Sequence, residues 1–164
     1  MNYYLIIRGP LGCGKTTISK ELAKKLNAKH ISIDSLLDKH GLTNDKEEGY
    51  ISQKSFIKAN EIAIREAKRY LTKNKPVIFD GNFYWKSQID HLINNLKFQS
   101  YVFTLHAPLK VCIERDSKRI SPHGEGAAMV VYNKVNSFNY GNVIDVSKPI
   151  NKTIQEIISY LSIH

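Results

Sequence analysis

Eight residues near the N-terminus, Gly9-Pro10-Leu11-Gly12-Cys13-Gly14-Lys15-Thr16, satisfy G-x-x-x-x-G-K-[ST] at every fixed position. Each residue type answers a physical need. Glycines let the backbone curl until successive N–H groups converge on phosphate oxygens, and a helix opening behind them adds partial positive charge. Lys15 brings a mobile cation to the β- and γ-phosphates, and Thr16 offers a hydroxyl to Mg²⁺. The candidate nucleotide-binding residues are therefore Gly9, Gly12, Cys13, Gly14, Lys15, Thr16 and Thr17, with Arg115 added below. The chemistry is that of a nucleoside triphosphate.

Three carboxylates and two arginines complete the candidate machinery. Asp80 closes the apolar run Pro76–Asp80 and reads as an acid on the magnesium side, acting through water. Gly81 follows it where many motor ATPases carry a water-activating Glu, which favours transfer to a substrate over hydrolysis coupled to motion. Asp34 stands at the end of a second predicted strand, Lys29–Asp34, as a candidate base for an attacking hydroxyl. Its bland alternative is a cap on a Ser35–Leu37 turn. Asp38, one turn on, is a candidate substrate contact. Arg115 and Arg119 are four apart in CIERDSKRI, hence expected on one helical face, where an anion would relieve their repulsion. The matches Asp38–Gly41 to D-x-x-G and Asn133–Asn136 to N-K-x-D are misplaced or incomplete, so a GTPase is not indicated.

These groups need a scaffold that brings them together. Tyr3–Arg8, Lys29–Asp34, Pro76–Asp80, Ser100–Leu105 and Asn142–Val146 read as strands, and amphipathic stretches alternate with them. One helix is expected from about Ser52 to Lys73, striped by Ile57, Ile64 and Leu71. Others carry Ile89, Leu92 and Leu96, or follow Pro108 and Pro149. Alternation throughout predicts an α/β fold, a parallel sheet covered on both faces, with ligands at the carboxyl ends of the strands. The loop Ser121–Gly126 is read as a short lid.

The chain has 164 residues, 42% hydrophobic and 24% charged, which fits one globular domain and excludes a disordered or collagenous chain. Its apolar runs are too short for a membrane span. Cys13 and Cys112 have neither disulfide nor metal spacing, so a reducing cytoplasm is expected. The net charge of +9 favours polyanionic partners without choosing among them.

The set GPLGCGKT, SID, VIFDGNF and ERDSKR resembles the small P-loop kinases, nearest to the group of polynucleotide kinases, zeta-type toxins and chloramphenicol phosphotransferases with their AAA-type ATP-binding domain. Adenylate and shikimate kinases are more distant likenesses. The resemblance implies a single kinase domain over residues 1–164, a five-stranded sheet of order 2-3-1-4-5 and a lid at about 115–126. It also implies ATP and Mg²⁺ as cofactors, with Lys15, Asp34, Arg115 and Arg119 catalytic and Thr16 and Asp80 at the metal. Asp34, Asp38, Gly81 and Asn82 would border the acceptor, and Val146–Pro149 the adenine. The expected activity is phosphate transfer to a hydroxyl of a small molecule or a nucleic-acid end, by a monomer or homodimer. Phe83, Tyr84 and Trp85 are candidates to stack on a base, or to seat the next helix. A nucleoside-monophosphate kinase and an ATP-binding regulatory switch are the alternatives.

Overall fold

The computed structural model describes residues 2–162. Five parallel strands form the central sheet: β1 Tyr3–Arg8, β2 Lys29–Ser32, β5 Val77–Gly81, β6 Gln99–His106 and β7 Asn142–Asp145. Their order across the sheet is β2-β5-β1-β6-β7. The labels differ from the expected 2-3-1-4-5 because two short strands, β3 Lys46–Glu47 and β4 Tyr50–Ile51, form an antiparallel hairpin that periodicity did not reveal. Seven helices accompany the strands: α1 Lys15–Lys25, α2 Ile33–Lys39, α3 Gln53–Leu71, α4 Lys86–Asn95, α5 Leu109–Ser117, α6 Glu125–Val135 and α7 Ile150–Ser159.

Strand β1 is buried along its whole length, as a central strand covered on both faces must be. Alternation divides its side chains between two cores. Tyr4 and Ile6 join Phe79 and the inner faces of α3 and α4, whereas Leu5 and Ile7 join Ile78 and residues of α1 and α7. Helix α3 starts where the Ser52 hydroxyl accepts the Ser55 amide at 3.0 Å. Its buried stripe is Phe56, Ala59, Ala63, Ala67 and Leu71, with Ile64 beside it and Ile57 only half-buried. Three alanines one turn apart let the helix lie close to the sheet, and the sevenfold isoleucine spacing was the weaker guide.

The register aligns the functional ends. Ile7 and Ser32 both lie opposite Asp80, and Arg8 lies opposite Gly81. The turn after β1, the start of α2 and the end of β5 therefore share one edge. Beneath that edge the guanidinium of Arg8 is fully buried without a carboxylate partner among its recorded bonds. It donates to the Phe83 carbonyl at 3.2 Å, the Thr104 hydroxyl at 3.0 Å and the Val135 carbonyl at 2.8 Å, and stacks 4.3 Å from the Phe138 ring. Burial pulls its pKa down to about 10, so it stays charged at neutral pH. This one side chain joins three strand ends to the last turn of α6, whose exposed carbonyls favour a cation.

Candidate active site

The loop Gly9–Gly14 leaves β1 and turns into α1. Gly12 and Gly14 have φ of 76° and 90°, which only glycine adopts without strain. Gly12 is also closely packed: a Cβ there would lie 2.1 Å from the Cys112 carbonyl of α5. Gly12→Ala should therefore separate the loop from α5 and lower stability by about 1–3 kcal/mol, visible as a lower thermal midpoint with weaker ATP binding. The Cys13 side chain is buried in the core behind the loop, so only its backbone faces the ligand side.

Lys15, Thr16 and Thr17 open α1 and line a cavity of about 440 Å³ together with Gly12, Gly14, Arg115 and Arg119. The Lys15 ammonium donates to the Pro10 carbonyl at 3.1 Å, folded back over its own loop. Arg115 donates to the Val146 carbonyl at 3.0 Å and the Cys13 carbonyl at 3.5 Å, so its guanidinium is held against the loop. Arg119 is not its partner on a helical face. Helix α5 ends at Ser117, and Arg119 lies beyond the end with its amide bonded to the Asp116 carbonyl. It still reaches the same cavity. On the other side of Arg115 a third cavity of about 200 Å³ lies between Thr17, Val146, Lys148 and Ile150.

A larger cavity, about 690 Å³, adjoins the first and shares Lys15, Thr16 and Arg119 with it. Asp34, Asp38 and Asn82 line it. Asp34 is not at a strand end: β2 stops at Ser32, whose hydroxyl accepts the Ser35 amide at 3.2 Å, and Asp34 falls in the first turn of α2. The cap is thus Ser32, and the Asp34 carboxylate is released from that duty. Burial pushes its carboxyl above the ordinary range; Lys15 and the Asn82 amide oppose this, and Asp80 and Asp38 add to it. Gly81 is buried and not part of the lining, because a Cβ there would press on Ile33 and Phe83.

Asp80 is almost fully buried, and one carboxylate oxygen, Oδ2, is bonded to His30 Nε2 from the neighbouring strand. The pairing depends on the β2–β5 register, which no local pattern encodes.

Asp116 is a further residue that spacing missed. Nearly fully buried at the end of α5, its carboxylate accepts the His123 amide at 3.0 Å, the Gly124 amide at 3.1 Å and the His123 Nδ1 at 2.9 Å. Burial works to raise its pKa, but these donors outweigh it and hold the carboxyl below the ordinary range. The contribution to stability is present above the ordinary carboxylate range and lost as pH falls through the lowered value. The segment expected to be a free glycine lid is thus tied down at 123–124, just before α6. Asp116→Ala should release it, seen as faster hydrogen exchange at the His123 and Gly124 amides with the central strands unchanged.

Phe83, Tyr84 and Trp85 are buried and seat the neighbouring elements. Tyr84 alone of the three lines the large cavity; its hydroxyl accepts the Ile51 amide at 3.0 Å, and the Trp85 indole donates to the Ile51 carbonyl at 2.8 Å. No described helix is long and apolar enough to cross a membrane.

A family model described as an AAA domain (AAA_33) matches residues 5–134, from inside β1 to the last turn of α6. The chain belongs to this family of P-loop kinase domains. Among curated proteins, the AAA domain is 32% identical over 115 residues to a Methanocaldococcus jannaschii protein named "Putative adenylate kinase", covering 70% of this chain and 58% of that one. It is also 44% identical over 66 residues to a tRNA dimethylallyltransferase of Fusobacterium nucleatum, covering 40% of this chain and 22% of the other. The chain thus spans under two thirds of either relative. Solved structures match its fold end to end. A sugar kinase from Janibacter sp. HTCC2649 superposes with a TM-score of 0.79 at 16% identity, covering 99% of this chain and 96% of that one. A gluconokinase from Sinorhizobium meliloti 1021 gives 0.75 at 15%, covering 96% and 90%. The tunicamycin resistance protein of Deinococcus radiodurans gives 0.72 at 18%, covering 100% and 98%. At these identities the likeness is one of fold.

Proposed function

We propose that this AAA domain moves the γ-phosphate of ATP to a hydroxyl of a small acceptor held in the 690 Å³ cavity. The observation that carries the reading is the meeting of Lys15 and Asp34 in the wall of that cavity where the phosphate loop adjoins it, with the buried Asp80 close enough behind them to act on the Asp34 charge. ATP lies with its phosphates along the loop and its base toward Val146 and Lys148. Lys15 and Arg115 neutralise charge on the phosphates, and Arg119 reaches in from beyond α5.

The donor set suits a small hard cation: a threonine hydroxyl at the helix start and a carboxylate one strand away, both oxygen ligands. Thr16 and Asp80 would hold Mg²⁺, which when bound offsets charge on the triphosphate. His30, itself in the cavity wall, holds one oxygen of the Asp80 carboxylate. Asp34 orients the acceptor hydroxyl and takes its proton as the oxygen attacks phosphorus; the bond from the γ-phosphorus to the bridging oxygen breaks, and ADP leaves.

Two features favour a hydroxyl over a nucleotide phosphate as acceptor. Asp34 and Asp38 both line the acceptor cavity and can accept hydrogen bonds from a hydroxyl, whereas the cations Lys20, Lys46 and Arg119 stand at its exposed rim. Phe83 and Trp85 are buried and do not line the cavity, so they offer no faces to successive bases of an oligonucleotide. The test is transfer of label from γ-labelled ATP to nucleosides, nucleoside monophosphates, sugars, sugar acids, hydroxylated aromatic compounds and 5′-hydroxyl oligonucleotides, with Lys15→Ala as control. Label on a hydroxyl acceptor that vanishes with the variant supports the reading. Phosphate released only to water, or a need for a protein partner, overturns it in favour of a regulatory switch.

A further inference from the structure

The acceptor cavity has two unlike halves. Ser32, Asp34 and Asn82 give it a hydrogen-bonding floor, with Ser35 and Asp38 at its exposed edge, whereas Tyr50, Tyr84 and Ile51 face it on the hairpin side and Ala127, Val130 and Val131 on the α6 side. Hydroxyls of a sugar fit the floor; the upper walls offer no comparable partners and instead match a flat apolar ring.

The aromatic wall is built to hold its shape. The rings of Tyr50 and Tyr84 lie with centroids 5.4 Å apart, and both backbone polar groups of Ile51 are taken by Tyr84 and Trp85. Lys134, in the last turn of α6, closes the far side. Its ammonium sits 3.7 Å from the Trp85 ring centroid, 5.1 Å from that of Tyr50 and 3.8 Å from Glu48 Oε2 on the hairpin turn. A cation over two rings and beside a carboxylate joins α6 to the hairpin. The two apolar walls are thereby fixed with respect to each other before any acceptor arrives. Apart from Lys15, which is buried where the cavity meets the phosphate loop, the cations that reach the cavity, Lys20, Lys46 and Arg119, are solvent-exposed and so belong to its rim.

We infer that the acceptor is an uncharged nucleoside-type compound, its sugar hydroxyls on Asp34 and Asp38 and its planar ring between Tyr50–Tyr84 and Val130–Val131. The inference rests on the kinase reading above and narrows its acceptor. Trp85, the chain's sole tryptophan, touches the aromatic wall and reports binding without turnover.

The full chain, loaded with Mg²⁺ and a non-hydrolysable ATP analogue, is titrated with adenosine, uridine, glucose, gluconate and AMP while Trp85 emission is followed. Parallel samples receive labelled ATP. Nucleosides should give a saturable emission change and accept label. Val130→Asp places a charge on an exposed position of the wall, and Tyr50→Ala removes a ring; each should weaken the nucleoside response about tenfold or more, with ATP binding unchanged. Label passing to glucose, gluconate or AMP with nucleosides inert overturns the nucleoside assignment and leaves kinase chemistry standing. A nucleoside response untouched by both variants overturns the placement. Absence of label and of any emission change, with the analogue bound, overturns the acceptor assignment and the kinase reading together.

Discussion

Lys15→Ala is expected to lower phosphate transfer by about 10²–10³-fold in kcat with little loss of stability. Lys15 is buried, 8% exposed as a residue, at the boundary between the phosphate cavity and the acceptor cavity. In the free protein it spends its bonding on the Pro10 carbonyl, a contact whose removal costs about 1 kcal/mol. With triphosphate present it can swing from that carbonyl to the phosphates, where charge grows on the transferred group. The interaction is therefore stronger in the transition state than in the ground state, which is the condition for an effect on kcat. Lys15→Arg should not restore the rate, because the planar fork is too bulky for a pocket walled by the loop's own backbone. The check is labelled transfer alongside thermal unfolding. A variant that transfers at the wild-type rate would remove Lys15 from the mechanism, and one that unfolds tens of degrees lower would make its role structural.

Much of this arrangement was readable because its signals are local. The phosphate loop is contiguous, and the strands Tyr3–Arg8 and Val77–Gly81 are apolar runs that only a covered parallel sheet accommodates. Helix starts at Ser52 and Pro149 follow from capping chemistry. What escaped is encoded between elements. Strands of two residues have no period to detect, so nothing in the local pattern marks the hairpin that carries Tyr50. Arg8 ends an apolar run, where a charge ordinarily faces water, yet three carbonyl and hydroxyl acceptors from distant segments enclose it. Asp116 resembles any acid in a charged helix until the 123–124 backbone folds onto it. Counting four residues from Arg115 puts Arg119 on α5, but the helix ends two residues before it, where Asp116 turns its carboxylate to the loop.

Asp34 sits where stability and catalysis pull in opposite directions, and Asp34→Asn should separate them. In the unfolded chain its carboxyl titrates in the ordinary range; in the fold, burial first, then Asp80 and Asp38, raise it despite Lys15 and the Asn82 amide. Between those two values the native state keeps a proton the unfolded state has released, so this group's contribution to stability falls as pH rises through that window. Above it the ionised carboxylate is a standing penalty. Asn carries no charge to desolvate, so the variant should melt at a higher temperature than the parent at neutral pH, the gap closing below the ordinary carboxylate range. Transfer should move the other way, falling by about 10²–10⁴-fold, because the amide cannot take the hydroxyl proton. In the parent, the acid limb of kcat/KM should lie above the ordinary carboxylate range and be absent from the variant's residual rate. Melting curves and pH–rate profiles of the two proteins decide the matter. A slower but more stable variant fits a carboxylate kept charged at a cost for chemistry. A variant that is less stable and equally fast would identify Asp34 as part of the scaffold, with the proton leaving by another route.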